Sequence, residues 1–389
     1  MYQIKISPSS EQTVYSNFVK QHGAPLLLLD CDRVRQQYRN LCAALPGVEL
    51  YYAIKSLPHP DLLATLAAEG AAFDVASSGE LELLRNLHFT PRRTIHTHPI
   101  KRNKDIRDAL RFGCTSFVVD NLDELEKFVP YRHRVGLLLR IGFQNKNAVV
   151  DLARKFGCAL EDVDQLLQRA MQLGIHIKGL SFHVGSQCDS PVDHAAAIRA
   201  CNHIIQRYET EIGGHPIGIL DIGGGFPAPY SGEHIDIDGF CAPIREALSE
   251  LPSGISVIAE PGRYISAPAM TSVSTVMGRS QRSSRTWYYL DDGVYGSFSG
   301  KIFDHATYPL EIFSDSSELA PSVLAGPTCD SIDVIVEEID LPKMEIGDLV
   351  VGHLMGAYTM ATSTEFNSFD KAKVVVLNGE EYGLKLVSG

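Results

Sequence analysis

From about residue 25 to residue 263 short apolar runs alternate with amphipathic stretches of helical spacing, and this rhythm constrains the fold more than any other feature. The runs fall at 26–30, 48–54, 73–76, 94–98, 116–120, 135–141, 177–184, 217–222 and 257–260. Helix-like segments lie between them, at 60–69, 79–87, 121–127, 160–173 and 194–208. Ser77 and Ser78 precede Gly79-Glu80-Leu81 and offer side-chain oxygens to cap the helix after the 73–76 run. Strands that are apolar along their whole length are buried on both faces, the habit of a parallel sheet flanked by helices. Eight or so such units over roughly 240 residues suit a (β/α)8 barrel in size. A doubly wound open sheet satisfies the same pattern.

After Arg263 the rhythm changes. Runs at 271–277, 286–290, 332–338, 349–351 and 374–377 read as strands with little helix between them. Asp292-Gly293, Gly326-Pro327 and Gly347-Asp348 supply turns. The expected organisation is an α/β plus β chain: a (β/α)8 TIM barrel over 25–263, followed by an all-β domain over 264–389. Residues 1–24 join that second domain, where the 2–6 run can add a strand.

With 389 residues, 44% of them hydrophobic, the chain has material for a large core and for more than one average domain. Its 35 Lys+Arg against 47 Asp+Glu give a net charge of −12, with no basic block. Nucleic acid and anionic membranes therefore have no electrostatic support as partners. The eight cysteines form no CxxC pair, which in a chain of this size reads as reduced thiols. The first residues lack the apolar segment of a signal peptide, and no run approaches the ~18 apolar residues of a membrane span. The expected location is the cytoplasm.

In a barrel, functional residues gather where strands end, at the C-terminal face. Lys55 closes Tyr51-Tyr52-Ala53-Ile54-Lys55, Asp74 lies in Phe73-Asp74-Val75-Ala76, and Arg140 in Leu139-Arg140-Ile141. His183 follows Ser181-Phe182, Gly223-Gly224-Gly225 follow Asp221-Ile222, and Glu260 ends Val257-Ile258-Ala259-Glu260. Singly, each has a plain reading. A lysine there is commonly a solvated strand end, and a lone histidine a satisfied, partly buried one. The glycines permit a tight turn, or equally a close approach of backbone amides to a phosphate. They lack the spacing of a dinucleotide site or a P-loop. Glu260 and Arg263 could form a surface salt bridge. His96-Thr97-His98 puts two imidazoles on one strand face, but no third ligand is near and no metal is expected. Together the strand-end residues form a ring.

Several motifs resemble one family. Tyr52-Ala53-Ile54-Lys55, Phe73-Asp74-Val75-Ala76-Ser77, His183-Val184-Gly185-Ser186, Asp221-Ile222-Gly223-Gly224-Gly225-Phe226-Pro227 and Glu260-Pro261-Gly262-Arg263-Tyr264 belong to the barrel. Asp292-Gly293-Val294-Tyr295-Gly296-Ser297-Phe298, Phe303-Asp304-His305, Gly326-Pro327-Thr328-Cys329-Asp330-Ser331 and Gly356-Ala357-Tyr358 follow. In this order they resemble the fold type III (alanine-racemase-fold) pyridoxal-phosphate amino-acid decarboxylases, and most of all the ornithine decarboxylases.

The resemblance implies roles. Lys55 would hold pyridoxal 5'-phosphate as a Schiff base. Glu260 would keep the pyridine nitrogen protonated, where an alanine racemase has arginine; this argues for decarboxylation. His183 would stack on the ring. Gly223, Gly224, Gly225, Ser186, Arg263 and Tyr358 would hold the phosphate. Asp74, Glu80 and Arg140 would order the lysine and cofactor from beneath. Cys329 would return a proton to the product carbon from the neighbouring subunit, so a homodimer with shared sites is implied.

Asp304 and Asp330, with Tyr295 and Phe303, match the substrate-binding positions. Two acids facing a distal ammonium imply a basic substrate, ornithine giving putrescine first and lysine giving cadaverine second. Phe303 departs from the tyrosine usual there. Cys329-Asp330-Ser331 departs from the Cys-Glu-Ser pattern of diaminopimelate decarboxylases. The alternatives are diaminopimelate, a larger amino-acid conjugate such as a siderophore precursor, or a non-catalytic partner-binding homologue. Retention of Lys55, Glu260 and Cys329 speaks against the last.

Overall fold

A computed structural model describes residues 3–143, 148–150 (backbone only), 154–208, 210, 216–230, 232 and 235–379. Eight strands close into a barrel: Val48–Ala53, Ala72–Val75, Thr94–His96, Ser116–Val119, Gly136–Ile141, Ile177–Phe182, Ile219–Asp221 and Ser256–Ala259. All neighbours are parallel, and Val257 beside Val48 closes the ring, which rules out the open sheet. Alternation along each strand sorts the side chains into two cores. Ile95, Val118, Leu138 and Ile258, with Tyr51 and Ile219, fill the barrel interior. Their neighbours Tyr52, Phe117, Leu137 and Leu139 face outward into the helical layer.

Among the described residues nine strands form the second sheet. Its centre is the long strand Met270–Arg282, paired with Leu349–Gly352 at one end and Arg285–Leu290 at the other. The N-terminal Ile4–Ser7 adds a parallel edge to Leu310–Phe313, as expected from the 2–6 run. Two of its strands, Leu310–Phe313 and Leu319–Ala325, were not expected from the sequence. Pro321 lies within the second, opposite Asp340 of Val334–Pro342, at a stretch that is still an edge because pairing to Arg285–Leu290 begins only at Ser322.

One expectation is corrected. Leu26–Asp30, read as the first barrel run, pairs with Met270–Val273 and with Lys373–Leu377 in the second sheet. Leu27 and Leu29 join the main core while Leu26 and Leu28 join a separate cluster on the opposite face. A run buried on both faces looks the same in either sheet, so its partners decide its domain. Among the described residues no helix is long and apolar enough to cross a membrane.

Candidate active site

Seven of the eight strand ends converge on one cavity of about 210 Å³ at the C-terminal mouth of the barrel. Lys55, Arg140, His183, Ser186, Gly224, Gly225, Glu260, Arg263 and Tyr358 line it, with His98, Phe156, Gln187 and Phe226. Lys55 sits in a single 3-10 turn, Ile54–Ser56, directly after Val48–Ala53, so its side chain rises from the strand end into the mouth.

Asp74 is buried one strand over. Its Oδ2 accepts from Lys55 Nζ at 2.6 Å, and its Oδ1 accepts from Thr97. Enclosure disfavours the Lys55 ammonium, but the charges of Asp74 and Glu260 outweigh it and raise Lys55 above the ordinary lysine value. Beneath them Glu80 accepts from the Ala76 N–H at 2.5 Å. Burial pushes the Glu80 carboxyl up to about 7, helped by Asp74 and opposed by the Ala76 hydrogen bond and Lys55. Arg140 lies over the Phe156 ring at 5.6 Å.

Opposite Lys55, Glu260 is buried beside Asp221, which sequence reasoning had given no role. Burial raises both carboxyls, Asp221 to about 6 and Glu260 well above its usual range, and the Asp221 charge adds to the Glu260 shift. Asp221 Oδ1 accepts the Gly223 N–H at 2.9 Å, and the two carboxyls, close enough to share a proton, lie against each other. A pair of crowded buried acids wants a proton or a cation between it and the cavity. The N–H of a protonated pyridine satisfies that demand. His183 accepts the Gly185 N–H on Nδ1 at 3.1 Å; burial and the Arg140 charge hold its ring neutral.

The glycine turn forms the far wall. Gly223 has φ +67° and Gly225 φ +101°, conformations that favour glycine. A Cβ on Gly224 would stand 2.7 Å from the Glu260 carbonyl and 3.1 Å from His183 Nε2. The cradle is therefore closed to side chains and open to a ligand's anionic group. Beside it Arg263 donates to Ser186 Oγ at 3.2 Å, to Tyr230 Oη at 3.2 Å and to Asp304 at 2.6 Å. The Arg263 guanidinium also lies 4.8 Å from the Tyr358 ring. Tyr358 arrives from the second domain, anchored by its N–H to the Ser56 carbonyl at 3.0 Å. These residues fit pyridoxal phosphate: an amine for its aldehyde, an acid for its ring nitrogen, and a cationic, amide-rich pocket for its phosphate.

Of the expected residues, Asp74, Glu80 and Gly223 support the cavity wall from behind without lining it, and the five expected to meet the substrate or return the proton, Cys329, Asp330, Tyr295, Phe303 and Asp304, do not line it either. Cys329 is exposed, and Asp330 accepts from Tyr295 Oη at 2.5 Å. Tyr295 stacks on Phe366, and Phe303 is 59% exposed. Asp304 reaches the cavity only through Arg263. The two imidazoles are separated as well: the strand ends at His96, which stacks on Phe117 in the helical layer, whereas His98 lines the cavity. Because the strand ends at His96, the alternation that would have put both on one face does not carry on to His98. Among the described residues no group of three metal-ligating side chains is assembled. Thr97, Asp221 and Tyr230 are the supports that sequence reasoning missed. Asp221 alone carried a signal, being the last residue before the glycines.

Residues 31–267 match the family model for the pyridoxal-dependent decarboxylases, described as their pyridoxal binding domain. A lysine/ornithine decarboxylase of Selenomonas ruminantium is 36% identical over 379 residues, 97% of this chain and 95% of the relative. The lysine/ornithine decarboxylase of Vibrio vulnificus, solved with putrescine and with cadaverine, superposes with TM-score 0.91 at 54% identity. The putrescine complex covers 96% of this chain and 99% of that one. The arginine decarboxylase of Paramecium bursaria Chlorella virus bound to agmatine gives TM-score 0.89 at 31% identity, covering 94% of this chain and all of that one, 100%. Strand-end lysine, buried acid pair, glycine cradle and these likenesses agree: the chain belongs to the pyridoxal-dependent decarboxylases and is a carboxy-lyase of basic amino acids.

Proposed function

We propose that this enzyme converts L-ornithine to putrescine, and with lower preference L-lysine to cadaverine, with Lys55 as the amine that carries pyridoxal phosphate. The supporting observation is the Lys55–Asp74 pair facing Glu260 across a cavity that ends in the glycine turn. Bound pyridoxal phosphate supplies an electron sink for the pair left behind when CO2 departs. Glu260 keeps a proton at the ring nitrogen. His183, held neutral, would lie against the ring without adding charge. Gly223, Gly224 and Gly225 with Ser186, Arg263 and Tyr358 hold the phosphate, while Asp74, Glu80 and Arg140 fix Lys55 from below.

A homodimer completes the site. Cys329 and Asp330 lie outside their own chain's cavity, on a surface where Ile332 is 52% and Phe369 41% exposed. An apolar patch of this kind suits a partner surface. Cys329 of one protomer then gives a proton to the product carbon in the other, as a general acid within reach of that carbon.

Asp304 and Asp330 select the distal ammonium. A distal carboxylate, as in diaminopimelate, would meet two acids and be repelled. One methylene separates ornithine from lysine, a difference of ~1–3 kcal/mol in a pocket, so both are turned over. The putrescine and cadaverine complexes of the Vibrio relative support that pairing. The test is CO2 release from ornithine, lysine, arginine and meso-diaminopimelate side by side. Ornithine should lead and lysine follow; release from none of the four would favour a conjugated substrate.

A further inference from the structure

The helix Val192–Arg207 begins behind the glycine turn, and His194 in its first turn is completely buried. The ring packs against Phe226 at 5.5 Å and edge-on to Phe240 at 6.1 Å. Its Nε2 lies 2.9 Å from the Gly224 carbonyl oxygen. A carbonyl has no proton to give, so Nε2 carries the hydrogen and donates. Nδ1 has no partner among the described residues. A second ring proton would be buried and unpaired, and burial accordingly lowers the ring's pKa to about 4. The imidazole is therefore a neutral donor of fixed tautomer near neutral pH.

The consequence lies on the other side of the peptide plane. The Gly224–Gly225 peptide is trans, the Ala24-Pro25 bond being cis. In a trans peptide the carbonyl of one residue and the N–H of the next point in opposite directions. His194 draws the Gly224 carbonyl away into the helical layer. The Gly225 N–H must then point the other way, and Gly225 is a wall of the cavity beside Ser186 and Arg263. Among the described residues the Gly225 N–H has no acceptor in the protein. With φ +101° at Gly225 and no β-carbons to brace the turn, this plane could otherwise rotate.

We infer that His194 is a positioning residue: it locks the Gly224–Gly225 peptide so that the Gly225 N–H is presented to the cofactor's phosphate. The inference rests on the proposed phosphate assignment of the glycine turn and adds a residue outside the cavity. Pre-orienting an amide stabilises an anion more than an amide that must turn to meet it, because the reorganisation is complete before binding.

The experiment strips the full-length chain of cofactor and titrates it with pyridoxal phosphate and with pyridoxal, which lacks the phosphate. Binding is followed by protein fluorescence. His194→Gln keeps a donor at the Nε2 position; His194→Met and His194→Phe remove it, the latter retaining an aromatic ring against Phe226 and Phe240. Either donorless variant that folds carries the comparison. Pyridoxal phosphate should bind about tenfold more weakly to the donorless variants, with pyridoxal changed less than about twofold and the glutamine variant close to wild type. Equal losses for both ligands would mean that His194 only fills space, and a glutamine variant as weak as methionine would equally overturn the inference. Ser186→Ala separates the two levels. A phosphate-selective loss there but not at His194 retires the inference alone, and no selective loss at either retires the phosphate assignment.

Discussion

Arg263 and Asp304 form an ion pair of 2.6 Å beside the cavity, so one guanidinium joins the proposed phosphate pocket to a proposed substrate acid. The pair is largely buried, with 6% and 17% of the two side chains exposed. Removing one member of such a pair leaves a cation poorly compensated. Asp304→Asn should lower stability by about 1–3 kcal/mol in urea unfolding, Arg263 keeping its hydrogen bonds to Ser186 and Tyr230. It should also raise KM for ornithine about tenfold while kcat falls less, as loss of ground-state binding predicts. An unchanged KM would remove Asp304 from the substrate pocket.

Lys55 is the residue on which the proposed chemistry depends. Lys55→Ala should lose the visible absorption of lysine-bound pyridoxal phosphate, and borohydride should no longer fix the cofactor to the chain. Turnover should fall by about three orders of magnitude or more. Full turnover in this variant is incompatible with the assignment. Asp74→Asn should keep the absorption but shift its pH dependence downward, because Asp74 is the charge that most raises Lys55.

The proposed shared site can be tested by mixing variant protomers. Lys55→Ala and Cys329→Ala protomers, each nearly inactive, are mixed under conditions of subunit exchange. Each mixed dimer then holds one intact composite site, and recovery of roughly a quarter of wild-type activity is expected. No recovery despite exchange shown by differential labelling would falsify the composite site.

Glu80 gives a prediction with a definite sign. Its folded-state pKa, raised to about 7 by burial, exceeds its ordinary value of 4.5. Between those two pH values the folded chain holds a proton that the unfolded chain has released, so this group's contribution to stability falls as pH rises. Above pH 7 the full penalty applies. Glu80→Gln, which can still accept the Ala76 N–H, should therefore be more stable than wild type at pH 8. The gain should be on the order of 1 kcal/mol and should shrink toward pH 5. Urea midpoints at the two pH values check it; a glutamine variant weaker at pH 8 would mean that Lys55 and the Ala76 N–H keep the carboxylate ionised.

Much of the site was legible because barrel chemistry sits at strand ends, and strand ends can be read from where apolar runs stop. Lys55, His183, Gly224 and Glu260 were placed this way, and all four line one cavity. Tyr230 and Thr97 were not legible, since each acts on a residue far away in sequence: Arg263, 33 positions on, and Asp74, 23 positions back. His194 looked like an ordinary helix residue. Its partner is a backbone carbonyl 30 residues away, and no side-chain pattern marks such a contact.

The sequence by itself determined the period of the elements, the residue types at the strand ends and, through its motifs, the chemistry they resemble. These are local properties: burial on both faces demands an apolar run, and a tight phosphate turn demands glycine. The tertiary structure alone decided which sheet claims a run, as Leu26–Asp30 left the barrel for the second sheet. It alone decided which charges share a partner, as Asp304 fell to Arg263, and which residues stand apart from their own cavity, as Cys329 does. Pairing, ion-pair choice and cavity membership depend on distances between residues far apart in the chain, and folding sets those distances.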